Sequence, residues 1–105
     1  MITVNVLYPN KDGATFDMDY YLTSHIPMLK RVLGSALKGC IVEQGLGGRE
    51  PGTKAEFAIL CHLRFDSVES YQQAMRPVAG QIRNDLANYA SEAPIVQLSE
   101  VKVAS

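Results

Sequence analysis

The stretch EFAILCHLRF (residues 56–65) decides the fold, because it predicts a β-strand with apolar side chains on both of its faces. Side chains alternate between the two faces of a strand, and one face here carries only apolar or sulfur-containing residues: Phe57, Ile59, Cys61, Leu63 and Phe65. Ala58 and Leu60 are apolar on the other face, where a solvated sheet would carry polar residues. We therefore expect the second face to be covered, and a second copy of the chain is the simplest cover.

Three further stretches predict strands around this one. Residues 2–8 are rich in β-branched side chains and end at turn-forming residues. Residues 37–45 lead into a glycine-rich loop at 46–54, which makes them the hairpin partner of strand 56–65. Residues 95–103 follow Pro94 and form the predicted last strand.

A first helix is predicted from Asp17 to about Leu33. The Asp17 carboxylate can accept hydrogen bonds from the unpaired N–H groups of the first turn. Phe16 and Tyr21 then stand at the two hydrophobic-staple positions, and Gly34 ends the helix.

Pro27 interrupts this helix. Proline has no N–H to donate and disfavours α geometry at the residue before it, here Ile26. A kink is therefore expected one or two residues after His25, and it would free the carbonyl of Thr23 to accept a hydrogen bond from the His25 ring.

A second helix is predicted over residues 66–89. It opens with a capping-box pattern at 66–69, and apolar residues then recur at intervals of three and four. Pro77 and Gly80 are expected to divide it into two shorter helices. The element order is then β-α-β-β-α-β, which predicts a ferredoxin-like α+β fold with an antiparallel four-stranded sheet and helices on one face.

Length and composition limit the class of protein. The 105 residues fit one domain spanning 1–105, and 47% hydrophobic with 20% charged residues is typical of soluble globular proteins. A net charge of −1 without any charged block argues against a nucleic-acid surface or a basic membrane patch. The longest apolar run, residues 57–61, is far below the roughly 20 residues that span a bilayer. With no export-signal pattern at the start, the cytoplasm is the expected location.

His25 is the main candidate for chemistry. It lies on the apolar side of the first helix, one turn after Tyr21, and imidazole titrates near neutrality, so it can serve as a general acid or base. Tyr21 is the candidate polar partner. The alternative is a core histidine whose ring is satisfied by a backbone carbonyl.

The remaining polar residues give weaker indications. Asn5, Tyr89 and Gln97 are candidates for positioning a substrate. Cys61 and His62 are neighbours on a strand and project from opposite faces, which disfavours a shared metal ion. Cys40 and Cys61 are expected to be packed thiols, although a symmetric hairpin would allow a disulfide.

The pattern FDxxYYxxxHxP at residues 16–27 resembles the signature of the EthD family, named for ethyl tert-butyl ether degradation. The runs VLYP at 6–9 and DxxNY at 85–89 resemble it as well, so the likeness spans nearly the whole chain. The resemblance implies a homodimeric α+β barrel in which two ferredoxin-like protomers pack their sheets face to face.

For function, the resemblance implies an apolar organic ligand held between helices and sheet. Small family members are often labelled reductases, but no nicotinamide or flavin motif is present. The expectation is therefore an enzyme of oxidoreductase or isomerase type that transfers a proton and needs neither metal nor cofactor. His25 would transfer the proton and Tyr21 would assist it. The alternatives are a non-catalytic module that binds a ligand or supports a partner oxygenase, and a purely structural dimer without a pocket.

Overall fold

A computed structural model, which describes all 105 residues, contains one antiparallel sheet of four strands. The strands are β1 (Ile2–Pro9), β2 (Gly39–Gln44), β3 (Phe57–Phe65) and β4 (Ile95–Glu100). Their order across the sheet is β2-β3-β1-β4, and every neighbouring pair is antiparallel. The predicted ferredoxin-like β-α-β-β-α-β arrangement is confirmed.

Three strands are shorter than the sequence predicted: β3 lacks Glu56, and hydrogen bonding explains the start of β2 and the end of β4. The N–H of Leu37 donates to the carbonyl of Gly34 in a tight turn, so β2 begins only at Gly39. Glu100 pairs with Ile2 at the start of β1, and residues beyond Glu100 therefore have no strand beside them.

The first helical region has three consecutive parts: α1 (Met18–Tyr20), a π-helical segment (Tyr21–His25) and α2 (Ile26–Leu33). Its predicted boundaries are confirmed. The Asp17 carboxylate accepts a 3.0 Å hydrogen bond from the N–H of Tyr20, and the rings of Phe16 and Tyr21 are 4.9 Å apart. Gly34 ends the helix with a φ of 58°, which glycine adopts without steric cost.

The expectation that Pro27 pushes Ile26 out of α geometry is wrong, because the chain accommodates the proline differently. The N–H of Ile26 donates to the carbonyl of Tyr21, which widens the turn before the proline into a π-helix. Ile26 itself keeps helical backbone angles, and Pro27 lies in the first turn of α2, where a missing N–H costs little.

The second helical region is divided near Pro77, as predicted. It consists of α3 (Val68–Met75), α4 (Ala79–Asn84) and a 3-10 turn (Asp85–Asn88). The hydroxyl of Ser67 caps α3 by accepting from the N–H of Ser70. Gly80 lies inside α4 and does not break it, so proline alone marks the division.

Both helical regions pack on the same face of the sheet. The strand side chains that face them form the core, and Phe65, Cys61 and Val4 are each at most 2% exposed. None of the helices combines the length and the apolar character that a membrane crossing requires.

The opposite face of the sheet, called the open face below, has no helix over it. Ile41 and Ile95 lie there and are 59% and 53% exposed. The centre of the open face is polar: His62 Nδ1 lies 2.7 Å from the side-chain oxygen of Asn5, and His62 Nε2 lies 2.8 Å from a carboxylate oxygen of Glu43. The apolar character that strand 56–65 predicted on this face is therefore confined to patches around a polar centre.

Candidate functional site

A cavity of about 170 Å³ lies between the helices and the sheet. Sixteen residues line it, of which thirteen are hydrophobic, and His25 is among the few polar ones. An apolar cavity of about 150 Å³ can hold benzene, so this one has room for a small ring system. Val96 in the lining is 52% exposed, which places one end of the cavity at the surface.

His25 is 3% exposed and both of its ring nitrogens have partners. The Nδ1–H donates to a carboxylate oxygen of Asp85 at 2.8 Å. The hydroxyl of Tyr89 lies 3.4 Å from Nε2, near the outer limit for a hydrogen bond. Because a carboxylate only accepts, the neutral ring carries its proton on Nδ1, and the Nε2 lone pair is left for proton transfer.

Asp85 is held by donors on three sides. Besides His25, the Tyr20 hydroxyl donates to it at 2.6 Å and the Asn88 amide at 2.9 Å. Burial would raise the pKa of the Asp85 carboxyl, but these hydrogen bonds outweigh it and lower the pKa below its usual value. The carboxylate is therefore ionised at neutral pH and fixes the orientation of the His25 ring.

Two tyrosines, Tyr21 and Tyr89, pack against the His25 ring, and a third, Tyr8, contacts both of them. The hydroxyls of Tyr8 and Tyr89 are 2.8 Å apart, and the Tyr21 ring stacks on His25 with centroids 5.3 Å apart. Burial raises the pKa of all three hydroxyls, with the contact to Tyr8 adding to the rise at Tyr89. All three are thus neutral at pH 7 and remain hydrogen-bond donors.

Local backbone contacts bring Tyr89 to His25. The N–H of Asp17 donates to the carbonyl of Tyr89 at 2.7 Å, and Phe16 pairs with Ala90 in an isolated β-bridge. The start of the first helix and the segment before β4 are therefore tied together, which places the ring centroids of Tyr89 and His25 4.5 Å apart.

The structure brings together only some of the residues that the sequence singled out. His25, Tyr21 and Tyr89 all line the cavity. Asn5 and Gln97 do not, because they pair across β1 and β4 on the open face. The alternation of side chains along a strand already indicated their place on the open face, because Asn5 and Gln97 each stand between two residues whose side chains face the helices.

Two members of the site were not predicted. Asp85 takes the place that the sequence assigned to the Thr23 carbonyl as partner of His25, and that assignment is wrong. Tyr8 reaches Tyr89 from β1 across 81 positions of sequence. The DxxNY spacing at 85–89 was the available signal for Asp85, but spacing alone does not show which distant residue a carboxylate meets.

The two cysteines are free thiols on the helix-facing side of the sheet. Cys40 pairs with Leu63 and Val42 with Cys61, so the cysteines are diagonal neighbours and not opposite each other as a symmetric hairpin would have them. The Cys61 thiol donates toward the Cys40 sulfur, which lowers the pKa of Cys40 to about 7 and, together with burial, raises that of Cys61.

We expect Asp85→Asn to lower the free energy of unfolding by about 1–2 kcal/mol at pH 7, because it removes a charged acceptor from three donors. The folded carboxyl has a lowered pKa, so its stabilisation is complete above the unfolded pKa of about 4 and is lost as the pH falls further. Thermal unfolding of both proteins from pH 7 to pH 2.5 measures this. Asp19→Asn, at an exposed carboxylate, is the control, and a wild-type advantage that does not shrink below pH 4 would contradict the account.

A four-stranded antiparallel sheet with its helices on one face and a cavity between the layers defines the ferredoxin-like α+β class. Within that class the chain is similar to a crystal structure of an EthD-like protein from Ralstonia eutropha, with 43% sequence identity and a TM-score of 0.94. The alignment covers 99% of this chain and 94% of that one. The chain therefore belongs to the EthD family.

Two further structures share the fold at lower identity. An ethyl tert-butyl ether degradation family protein from Bacillus halodurans is 23% identical with a TM-score of 0.74, over 96% of this chain and 98% of that one. A dimeric protein of unknown function and ferredoxin-like fold from Bacteroides fragilis is 17% identical with a TM-score of 0.57, over 95% of both chains. No protein-family model and no curated protein matches the chain.

Proposed function

We propose that this protein is an enzyme that transfers a proton to or from an apolar or aromatic small organic molecule bound in the cavity between helices and sheet. The observation that carries the proposal is the oriented His25 ring, whose Nδ1 is held by an ionised Asp85 while Nε2 faces the neutral Tyr89 hydroxyl at an apolar cavity. A buried base with a fixed tautomer beside hydroxyl donors is a common arrangement for general acid–base catalysis.

The geometry supports isomerase-type chemistry at a carbon next to a carbonyl group. His25 Nε2 accepts the proton from carbon, and the electron pair of the broken C–H bond moves toward the carbonyl oxygen. Asp85 stabilises the imidazolium that forms. The Tyr89 hydroxyl, 2.8 Å from that of Tyr8, donates to the developing oxyanion. Its 3.4 Å contact with Nε2 is weak, so a bound molecule displaces it at small cost. Return of the proton to the same carbon gives hydrogen exchange, and in a substrate with a carbon–carbon double bond conjugated to the enolate, its return to the far carbon of that double bond completes an isomerisation.

The test uses 2-tetralone, an apolar bicyclic ketone with acidic C–H groups, in D₂O. If the proposal is correct, the protein accelerates deuterium incorporation next to the carbonyl above the buffer rate, with saturation by substrate, as followed by NMR. Addition of a chelator leaves the rate unchanged if His25 acts without a metal ion. Exchange that never exceeds the buffer rate across a series of one- and two-ring ketones would contradict the proposal.

A second candidate is a ligand-binding module without turnover. It is favoured by one observation: both ring nitrogens of His25 already have partners within the chain, as in a structural core histidine. This candidate predicts that 2-tetralone binds, as measured by calorimetry, while its exchange rate stays at the buffer level. The same exchange experiment therefore separates the two functions.

We further propose that the protein forms a homodimer through the open face. Exposed Ile41 and Ile95 provide apolar contact area there. The polar groups at the centre of this face, Asn5, His62 and Glu43, already contact one another, which reduces the number of polar atoms that burial would leave without a partner. The dimeric neighbour from Bacteroides fragilis supports the same state in a related fold.

Light scattering at micromolar concentration is expected to give twice the 11.5 kDa chain mass. Ile41→Arg, which places a charge on the open face, is expected to shift the mass toward that of the monomer. Leu22→Arg is the matched control, because Leu22 is 48% exposed on the helical layer away from the sheet. A monomer mass for the wild type, or equal masses for both variants, would contradict this interface.

A further inference from the structure

Arg83 is the one lining residue of the cavity with a permanent charge. Besides the thirteen hydrophobic residues, the lining contains only His25, Pro94 and Arg83. Arg83 lies on α4 and is an exposed residue, whereas His25 is buried, so Arg83 belongs to the surface end of the cavity lining and His25 to its inner part.

The charge of Arg83 has no partner within the chain. Its side chain forms no hydrogen bond, and the six ion pairs of the molecule all involve other residues. The nearest acid in sequence, Asp85, is occupied by Tyr20, His25 and Asn88. No acidic side chain lines the cavity.

We infer that Arg83 binds an anionic group of the substrate, and that the substrate class is a small apolar or aromatic acid. This inference rests on the proposed function of the cavity. A guanidinium has a planar set of donors that matches a carboxylate in a bidentate manner, and its donors here are free. The carboxylate would lie at the surface end, where it stays partly hydrated, while the apolar body enters the cavity.

The two ends of the cavity then have different tasks. Arg83 fixes the acid group of the molecule, and the opposite end of the molecule reaches His25 and Tyr89 in the interior. Arg83 is thus a positioning and specificity residue, and it takes no part in the proton transfer itself. A neutral molecule of the same shape would fill the cavity without this contact.

The test compares 2-naphthoate with 2-naphthamide, which have the same ring frame and nearly the same shape and differ in charge. Calorimetry at low ionic strength measures the affinity of both for the protein. We expect the wild type to bind the acid about 10-fold or more tightly than the amide, equivalent to about 1.4 kcal/mol. Arg83→Gln is expected to remove this preference by weakening only the acid, and Arg83→Lys to keep part of it. Arg31→Gln, which removes the same charge from the solvent side of α2, should keep the full preference for the acid over the amide.

The possible results separate the role of Arg83 from the proposed function of the cavity. Equal affinity of the wild type for acid and amide, or an acid preference that persists in Arg83→Gln, would overturn the role of Arg83 and leave the cavity as an apolar binding site. Binding of neither compound would overturn this inference, while the proposed function is judged separately by whether the same preparation accelerates deuterium exchange into 2-tetralone.

Discussion

Replacing His25 by glutamine is expected to slow deuterium exchange into 2-tetralone by about 100-fold or more, because glutamine has no basic nitrogen to accept a proton. Its amide can still donate to Asp85, so the fold should survive. Stability should fall by roughly 1–2 kcal/mol, as for a rearranged hydrogen bond. Exchange rate and thermal unfolding are measured on the same preparation.

The chain offers a matched control for this substitution. His62→Gln changes the only other histidine, which lies on the open face with partners Asn5 and Glu43 and does not line the cavity. Its exchange rate should equal that of the wild type. If His25→Gln retains the wild-type rate while its stability drops, His25 is a structural residue and the catalytic proposal fails.

Truncating Phe65 to alanine is expected to lower the free energy of unfolding by about 3–5 kcal/mol. Phe65 is 0% exposed at the end of β3, and its ring meets that of Tyr71 edge to face at 5.2 Å. Alanine would leave a cavity between β3 and α3 that the neighbouring backbone cannot fill, since both elements are fixed by their own hydrogen bonds.

Urea unfolding at a fixed protein concentration measures this loss, because the stability of an oligomer depends on concentration. Phe57→Ala is the control: it is the same change at the other end of the same strand, where the side chain is only half-buried. Phe57→Ala should lower the free energy of unfolding clearly less than Phe65→Ala does. A loss below about 1 kcal/mol at Phe65 would mean that the core repacks there far more freely than close packing allows.

Sequence alone determined the elements and their order, because the signals for them act between neighbours. The Asp17 cap, the contact of Phe16 with Tyr21 and the stop at Gly34 each depend on residues within about one helical turn, and all three are present as predicted. The alternation of strand 56–65 likewise placed its buried side correctly. Pro27 was identified as a disturbance, but the form of the response, a π-helical turn with Ile26 still in helical geometry, depends on how the faces of the helix pack, and local sequence does not contain that information.

The composition of the candidate site was decided by tertiary structure. His25 was found from its place on an apolar helix face, yet the carboxylate that orients it lies 60 positions away, and Tyr8 and Tyr89 meet across 81. Arg83 joins the same cavity from α4. Which of many distant polar residues reaches a given histidine follows from the sheet order and from the placement of the 3-10 turn at Asp85–Asn88. Those are set by packing over the whole core and not by any local pattern, since local signals extend over a few residues only.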